Sequence, residues 1–281
     1  MIFRDRSDAR RLKLPAFNSM IPYLLKGRNA SAVYFARDVD IENAVSYVHR
    51  KNQELGGNRL NLFGLILAAA ARTIAEKPDL NRFIKGHEVY QRKEISLSFI
   101  VKKNLTEAAK ETNAKVRFLP GDTIWDAMDR ISAAIDFARG EKPGPDDRII
   151  EVMHRIPFGK IVATSVLYLL DNLNLTPASM IRTDPLYTSA YVANLGSLGL
   201  DAPFHHLYEW GTASFFVVVG RTFQKEVRQG DGNTSRHTHI GIKVTVDERI
   251  SEGIYFAHAA ALFQKYITHP ELLETAPEVR A

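Results

Sequence analysis

None of the 281 residues is a cysteine, and that one absence excludes disulfides, thiolate-bound zinc, iron–sulfur clusters and a cysteine nucleophile. No apolar run is long enough to cross a membrane. The longest, Ile161 to Leu170, has ten residues between Lys160 and Asp171, about half of the twenty that a hydrocarbon core requires; it reads as a buried or interfacial helix. No secretory signal is expected, because no continuous apolar core follows Met1, and the acids and few serines of the same stretch argue against a transit peptide. The expected compartment is the cytoplasm. Excess charge is confined to the first residues. Lysine and arginine number 37 against 32 aspartates and glutamates, a net +5. Residues 1 to 28 hold seven basic side chains (Arg4, Arg6, Arg10, Arg11, Lys13, Lys26, Arg28) against Asp5 and Asp8, so the remaining 30 basic and 30 acidic residues balance. A balanced body lacks the basic stripe with which a nucleic-acid-binding face neutralises phosphates, and no nucleic-acid partner is expected. With 45% hydrophobic and 25% charged residues, disorder is excluded and a sizeable core is expected.

What is present alternates between helical and strand periods. Ser31 to Ala36 reads as a strand, and Asp38 or Asp40 is expected to cap a helix with Ile41, Ala44, Val45 and Val48 inward. A second helix, apolar on most sides and so centrally buried, spans about Asn61 to Lys77 and stops at Pro78. Residues 87 to 102 predict two strands, the second alternating Ile95, Leu97, Phe99 and Val101 with Ser96 and Ser98, which implies one dry face; another strand follows at 115 to 119. Asp122 is expected to cap a helix carrying Ile124, Trp125, Met128, Ile131 and Ile135, ahead of a linker-like stretch from Gly140 to Asp147. Residues 148 to 186 read as a helical insert whose apolar side chains, Ile161, Val162, Val166, Leu169 and Leu170, are core, or else an oligomer contact or lid. From Tyr187 the pattern is mostly strand, at 188 to 194, 214 to 220, 221 to 228 and 236 to 246 across a turn from Gln229 to Asn233, and a helix closes the chain. Strands mixed with long helices predict an α/β sandwich.

Two stretches carry a resemblance. One is Tyr191-Val-Ala-Asn-Leu-Gly-Ser-Leu-Gly199 with the later strand Ser214-Phe-Phe-Val-Val-Val-Gly220; the other is Val244-Thr-Val-Asp-Glu-Arg-Ile-Ser-Glu-Gly253, leading into a helix and His269-Pro-Glu-Leu-Leu273. With Lys77-Pro-Asp-Leu-Asn81 upstream, this order resembles the catalytic domain of the dihydrolipoyl acyltransferases of 2-oxoacid dehydrogenase complexes, relatives of chloramphenicol acetyltransferase. Coverage runs from about residue 18 to 273, least family-like over 148 to 186. The resemblance implies a chloramphenicol acetyltransferase-like two-layer α/β sandwich with a mixed sheet, a coenzyme A or acyl-coenzyme A ligand, no covalent cofactor, and a homotrimer or multiple of trimers with sites in channels between subunits. Residues 1 to 281 are then expected to form a single such domain. Without an Asp-Lys dipeptide to carry a lipoyl group, no lipoyl or peripheral-subunit-binding domain is expected. Residues 1 to 28 take the place of an arm that docks on the oligomer.

Acyl transfer from a thioester to a thiol needs a base for the thiol and donors for the tetrahedral oxyanion. The family motif, Asp-His-Arg-x-x-Asp-Gly, supplies the base from its histidine. Here Asp247, Arg249 and Gly253 match, but Glu248 stands at the histidine and Glu252 at the second polar position. The family hydroxyl that steadies the oxyanion corresponds to Ala193, ahead of Asn194-Leu-Gly196; the resemblance makes Ala193, Asn194 and Ser197 the channel lining. A carboxylate is about two pKa units less basic than imidazole, and its charge opposes a growing thiolate. Burial can raise a glutamate to about 6 or 7. His237 and His239, two apart on one strand face, are alternative bases; joined by His205 and His206 they are a conceivable metal or proton-transfer cluster, but no spacing demands a metal and none is expected. His258 belongs to the last helix. Asp247 and Arg249 are expected to brace the strand-to-helix turn, which Gly253 would allow to close. Two readings stand: an acyltransferase-like scaffold or ligand-binding protein without the histidine mechanism, or an active coenzyme A-dependent acyltransferase using Glu248 or a relocated histidine.

Overall fold

A computed structural model describes residues 5–102, 111–140, 158–228, 230 and 232–277. Nine strands and seven helices lie among them: β1 (Ala9–Arg11), α1 (Ala16–Leu24), β2 (Ala32–Asp40), α2 (Glu42–Glu54), α3 (Leu62–Glu76), β3 (Arg82–Lys85), β4 (Glu88–Arg92), β5 (Ile95–Lys102), β6 (Glu111–Phe118), α4 (Ile124–Gly140), α5 (Gly159–Asn172), α6 (Ala178–Thr183), β7 (Ala190–Asn194), β8 (Phe215–Arg228), β9 (Thr234–Asp247) and α7 (Gly253–Thr268). The stretch 141–147 of the linker candidate, residues 148–157 of the insert, and residues 229 and 231 of the last turn lie outside the described residues. No helix among those described is long and apolar enough to cross a membrane.

The main sheet has six strands in the order β2-β9-β8-β7-β5-β6. It is mixed, with β7 parallel to β5 and β8 and the other pairs antiparallel. A second sheet of three antiparallel strands runs β1-β4-β3. On one face of the main sheet every second side chain, such as Leu97, Phe99, Val192, Val219, Ile242 and Val246, joins a core closed by α3, α4 and α7. Buried on nearly all sides, α3 is the central helix; Asn61 caps it by accepting from Gly64 N at 2.8 Å. Across part of the opposite face lies a smaller cluster, in which Tyr191, Phe216 and Val218 meet Ala202 and Leu207 of the 199–213 loop.

Several local expectations are corrected by tertiary packing. Ser96 and Ser98 are buried, so the second face of β5 is covered at both serines although Ile100 on that face is exposed; Ser96 N donates to Ser189 Oγ (3.1 Å) and Ser96 O accepts from Thr188 Oγ1 (2.8 Å). Thr123, not Asp122, caps α4: Thr123 N donates to Asp126 Oδ2 (2.9 Å) and Asp126 N to Thr123 Oγ1 (3.3 Å), a reciprocal capping box. Asp122 instead accepts from Leu119 N. At α2 Ile41, Ala44 and Val48 face the core as expected, joined by Tyr47, while Val45 is exposed; Asp40 Oδ1 accepts from Glu42 N at 3.0 Å.

The insert and the leader depart most. In α5 only Asp171 is buried, with Ile161 64%, Val162 60% and Leu169 58% exposed, so the apolar run is not core of this subunit. The described part of the leader is no free basic arm: β1 extends the small sheet, and Arg6 is buried with Nη1 3.0 Å from Asp171 Oδ1 and Nε 3.1 Å from Asp8 Oδ1. Burial lowers the pKa of this guanidinium, but Asp8 and Asp171 outweigh it and hold the group above its usual value. Lys85 Nζ approaches the other oxygen of Asp171 at 2.5 Å. Removing one partner of such a buried set leaves uncompensated charge. Asp171→Ala is therefore expected to lower stability in urea denaturation by about 3–5 kcal/mol, whereas Arg59→Ala, at the exposed pair with Asp129, should change it by under about 1 kcal/mol.

Candidate functional site

β9 ends at a fully buried carboxylate. Asp247 N donates to Ser214 O just ahead of β8 and Glu248 N to Ser31 O, each at 3.0 Å, which fixes where the chain leaves the sheet. Arg249 folds back on Asp247 in a bidentate pair, Nε to Oδ1 at 2.8 Å and Nη2 to Oδ2 at 2.7 Å, and its Nη1 reaches Leu25 O at 3.1 Å. A second guanidinium comes from the leader. Arg28 is buried, its Nε is 4.0 Å from Asp247 Oδ2, and it donates to Tyr208 O and Gly211 O. Burial pushes its pKa down, against the opposing pull of Asp247 and Glu209. The turn is thus tied at once to α1, the leader and the 207–211 segment.

Glu248 and Glu252 project from this braced turn into solvent in the single subunit. Glu252 occupies the N-cap position of α7, where its backbone oxygen accepts from Tyr255 N and Phe256 N and its side chain makes no capping bond. Gly253 does not have the role expected for it: an added Cβ there meets no heavy atom within 4 Å, and φ is not positive. The close approach lies in the other motif, where a Cβ on Gly196 would sit 2.3 Å from Gly220 O, and one on Gly220 would sit 2.6 Å from Ala202 N.

Ala193 is on β7, paired with Val218, and packs against the small cluster formed by Tyr191, Leu207 and Phe216. Asn194 and Ser197 close the following turn on each other: Ser197 N donates to Asn194 Oδ1 (3.3 Å) and Ser197 Oγ to Asn194 O (2.9 Å). The only hydroxyl proton of Ser197 is therefore committed to the turn. Val218 pairs with Lys243 of β9, four residues before Asp247. With about 3.4 Å per residue and 4.8 Å per strand, Ala193 and Asp247 lie about 17 Å apart, so although the strands of the two stretches pair, Ala193 is not brought beside the Asp247–Glu248 turn within one chain.

The imidazoles are scattered. His237 Nδ1 is 2.6 Å from Asp40 Oδ2 and its Nε2 3.0 Å from Ser235 Oγ, while His239 is buried with Nδ1 3.2 Å from His237 O. Burial raises the Asp40 pKa, but the Glu42 N–H and His237 outweigh it and leave the carboxyl below its usual range. Both histidines sit eight to ten residues before Asp247, roughly 27–34 Å along β9, so neither reaches Glu248 in one subunit. His205 is elsewhere, stacked on Phe216 at 3.8 Å and on His206 at 4.5 Å, with its carbonyl accepting from Thr245 Oγ1. Thr245 is six to eight residues from His239 and His237, about 20–27 Å, which dissolves the imagined four-histidine cluster. Among the described residues no group of three or more histidine, aspartate or glutamate side chains is arranged to hold a metal. His258 is exposed on α7. Sequence reasoning missed the aromatic patch of His205, Tyr208, Tyr191 and Phe216, because the 199–213 loop that completes it has no periodic pattern. It also missed Arg28, counted among basic arm residues.

The two glycine motifs are expected to respond in opposite ways to alanine. Gly196→Ala should destabilise by roughly 1–3 kcal/mol through overpacking against backbone, and Gly253→Ala, at the first residue of α7, should be neutral or stabilise by up to about 1 kcal/mol. Chemical denaturation of both variants checks this.

No family model matches the chain, and no curated protein matches it in sequence. Solved structures do. The cubic core of a pyruvate dehydrogenase multienzyme complex is 14% identical, covers 93% of each chain and superposes with a TM-score of 0.61. The dihydrolipoamide acetyltransferase of Azotobacter vinelandii, whose catalytic mechanism has been investigated at a serine, a histidine and an asparagine, is 14% identical over 93% of each chain, with a TM-score of 0.60. A chloramphenicol acetyltransferase is 13% identical over 94% of this chain and 99% of its own, with a TM-score of 0.56. At these identities the likeness is one of architecture: this chain has the mixed-sheet α/β fold of dihydrolipoamide acetyltransferase catalytic cores and of chloramphenicol acetyltransferase.

Proposed function

We propose that this chain is a non-catalytic counterpart of the coenzyme A-dependent acyltransferases whose fold it shares, acting as a homotrimeric scaffold or as a binder of coenzyme A or an acyl-coenzyme A in a channel between subunits. One observation carries the reading. Where the resemblance puts a basic imidazole and an oxyanion-binding hydroxyl, this chain has the exposed carboxylate of Glu248 and the methyl group of Ala193, and the hydroxyl of nearby Ser197 is engaged in its own turn. A negative charge facing a developing thiolate or oxyanion opposes it, and a methyl group donates nothing to it. The elements that shape the site, the Asp247–Arg249 brace and the Gly196–Gly220 crossing, are architectural and do not depend on acyl transfer.

The trimer is supported by apolar surface left open on one subunit. Ile161, Val162, Val166 and Leu169 of α5 and Phe17, Met20 and Leu24 of α1 are exposed together with Phe158, and exposed apolar helix faces of this kind are characteristic of association surfaces. A multienzyme core among the fold neighbours points the same way. A second reading keeps acyl transfer, with Glu248 or a relocated imidazole as base; the position of His205, stacked on the sheet face that also bears Ala193, favours it.

Thiol release from a panel of acyl-coenzyme A donors, with and without dihydrolipoamide, separates the two. The expected result is no turnover above the uncatalysed rate and no change in coenzyme A affinity on Glu248→Gln; turnover abolished by Glu248→Gln or His205→Gln would establish the second reading. For assembly, light scattering should report a trimer for the native chain and a folded monomer for Val166→Asp combined with Leu169→Asp, since buried charge at an apolar contact opposes association.

A further inference from the structure

A cleft of about 140 Å³ opens on the side of the outer strands β5 and β6 away from α3 and α4, closed by α6 and by the leader. It is about 19 Å across the sheet from the end of β9, at 4.8 Å per strand. Five cationic residues line it: Arg92, Lys93, Lys115, Arg117 and Arg182. Two carboxylates, Asp8 and Glu94, oppose them, and both are already engaged. Glu94 Oε2 is 3.3 Å from Arg117 Nε, and Asp8 is shared between Arg6 at 3.1 Å and Arg92 at 3.8 Å.

The two most enclosed cations are incompletely compensated. Arg92 is 7% exposed; its Nη2 donates to Thr212 O, and its Nε has no hydrogen-bond partner among the described residues. Lys115 Nζ donates to Ile181 O (2.9 Å) and Asp184 O (3.0 Å), which leaves one of its three protons unassigned. The Asp184 carboxylate is turned to Trp210 Nε1 (2.7 Å) and Leu186 N (2.8 Å). Burial pushes Arg92 down to about 9 and Lys115 down to about 8, the lysine further depressed by Arg92 itself. Positive charge withdrawn from water without its counter-charge is costly, and a bound anion offsets that cost.

We propose that this cleft is a binding site for a small multivalent oxyanion, either inorganic phosphate or the phosphate group of a larger molecule, held by Arg92, Lys115 and Arg117. The size agrees. A volume of 140 Å³ equals the share of about five waters, enough for one phosphate group and below the several hundred Å³ that enclose a whole organic ligand. Arg92 and Arg117 offer planar N–H donors suited to phosphate oxygens, and Lys115 adds a compact point charge. The site does not depend on whether the chain transfers acyl groups.

Isothermal titration of the full chain with inorganic phosphate, pyrophosphate and adenosine monophosphate, at constant ionic strength in chloride, tests the proposal. At least one of them should bind with a Kd below about 1 mM, and Lys115→Met should weaken it at least about tenfold. Arg221→Gln, on a surface arginine paired with Asp201, should leave it unchanged. Tighter binding of the free ions than of the ester identifies an ion site, and the reverse a phosphorylated ligand. Arg117→Gln, at a half-exposed side chain, tests the same loss if Lys115→Met does not fold. Absence of binding by all three probes up to about 10 mM, or equal binding by native chain and both cleft variants, overturns the proposal.

Discussion

Asp247 is fully buried, and its carboxylate has two guanidiniums upon it, Arg249 in a bidentate pair and Arg28 at 4.0 Å. Much of the architecture around the candidate site meets there. Through Arg249 the carboxylate is linked to the end of α1 at Leu25, and through Arg28 to the backbone at Tyr208 and Gly211. A charge at this depth is tolerated only when paired and hydrogen-bonded. The pairing in turn dictates how β9 leaves the sheet and where Glu248 and Glu252 emerge. The same device recurs at Asp171, which joins Arg6 of the leader to Lys85 of the small sheet. Two of the seven basic residues that give the first 28 residues their charge are therefore interior, spent on holding the leader to its own chain.

On the reading proposed above, this frame accounts for an architecture of the acetyltransferase type kept without the histidine and hydroxyl that the resemblance leads one to expect. The parts that survive are those with a packing reason: the glycines where two backbone segments cross, the buried aspartate with its arginines, and the apolar ridge of β7 and β8 beneath the helices. The parts that differ, Ala193, Glu248 and Glu252, are half-buried or exposed within one subunit, where substitution costs the fold little. On that proposal, the residues that hold the fold and those at the expected reaction centre are separate even though they share two short motifs. The separation of about 17 Å between Ala193 and Asp247 within one chain is also why a channel between subunits, rather than within one, is the arrangement proposed for a ligand.

Most of the fold was legible because it is periodic. The alternation in β5, the all-round apolarity of α3 and the Thr-Val-Asp-Glu-Arg run at the end of β9 each read correctly as element types. Misreadings occurred where a second layer supplied what local pattern could not show. Ser96 and Ser98 look like a wet face until Thr188 and Ser189 cover them. The apolar run of α5 looks like core, yet its neighbours within the subunit leave it open. Asp122 and Thr123 are both good caps, and only backbone direction decides between them. Of the site, the motif positions were legible by resemblance, but the exposure of the glutamates, the distance of His237 and His239, and the aromatic bed beneath His205 were not.

By itself the sequence determined the composition of the chemistry: no thiol, no imidazole at the expected base position, no hydroxyl before Asn194, and an α/β pattern long enough for a mixed sheet with helices upon it. These are properties of residue identity and spacing, which chain order carries directly. Only the tertiary structure decided which charges are interior and which apolar residues are left open. Arg6, Arg28 and Arg92 have the same composition as any surface arginine, and Ile161 the same as any core isoleucine; the difference lies in what the rest of the chain brings against them. Burial and long-range pairing depend on contacts between residues far apart in the chain, 219 positions for Arg28 and Asp247, and no local pattern encodes such a distance.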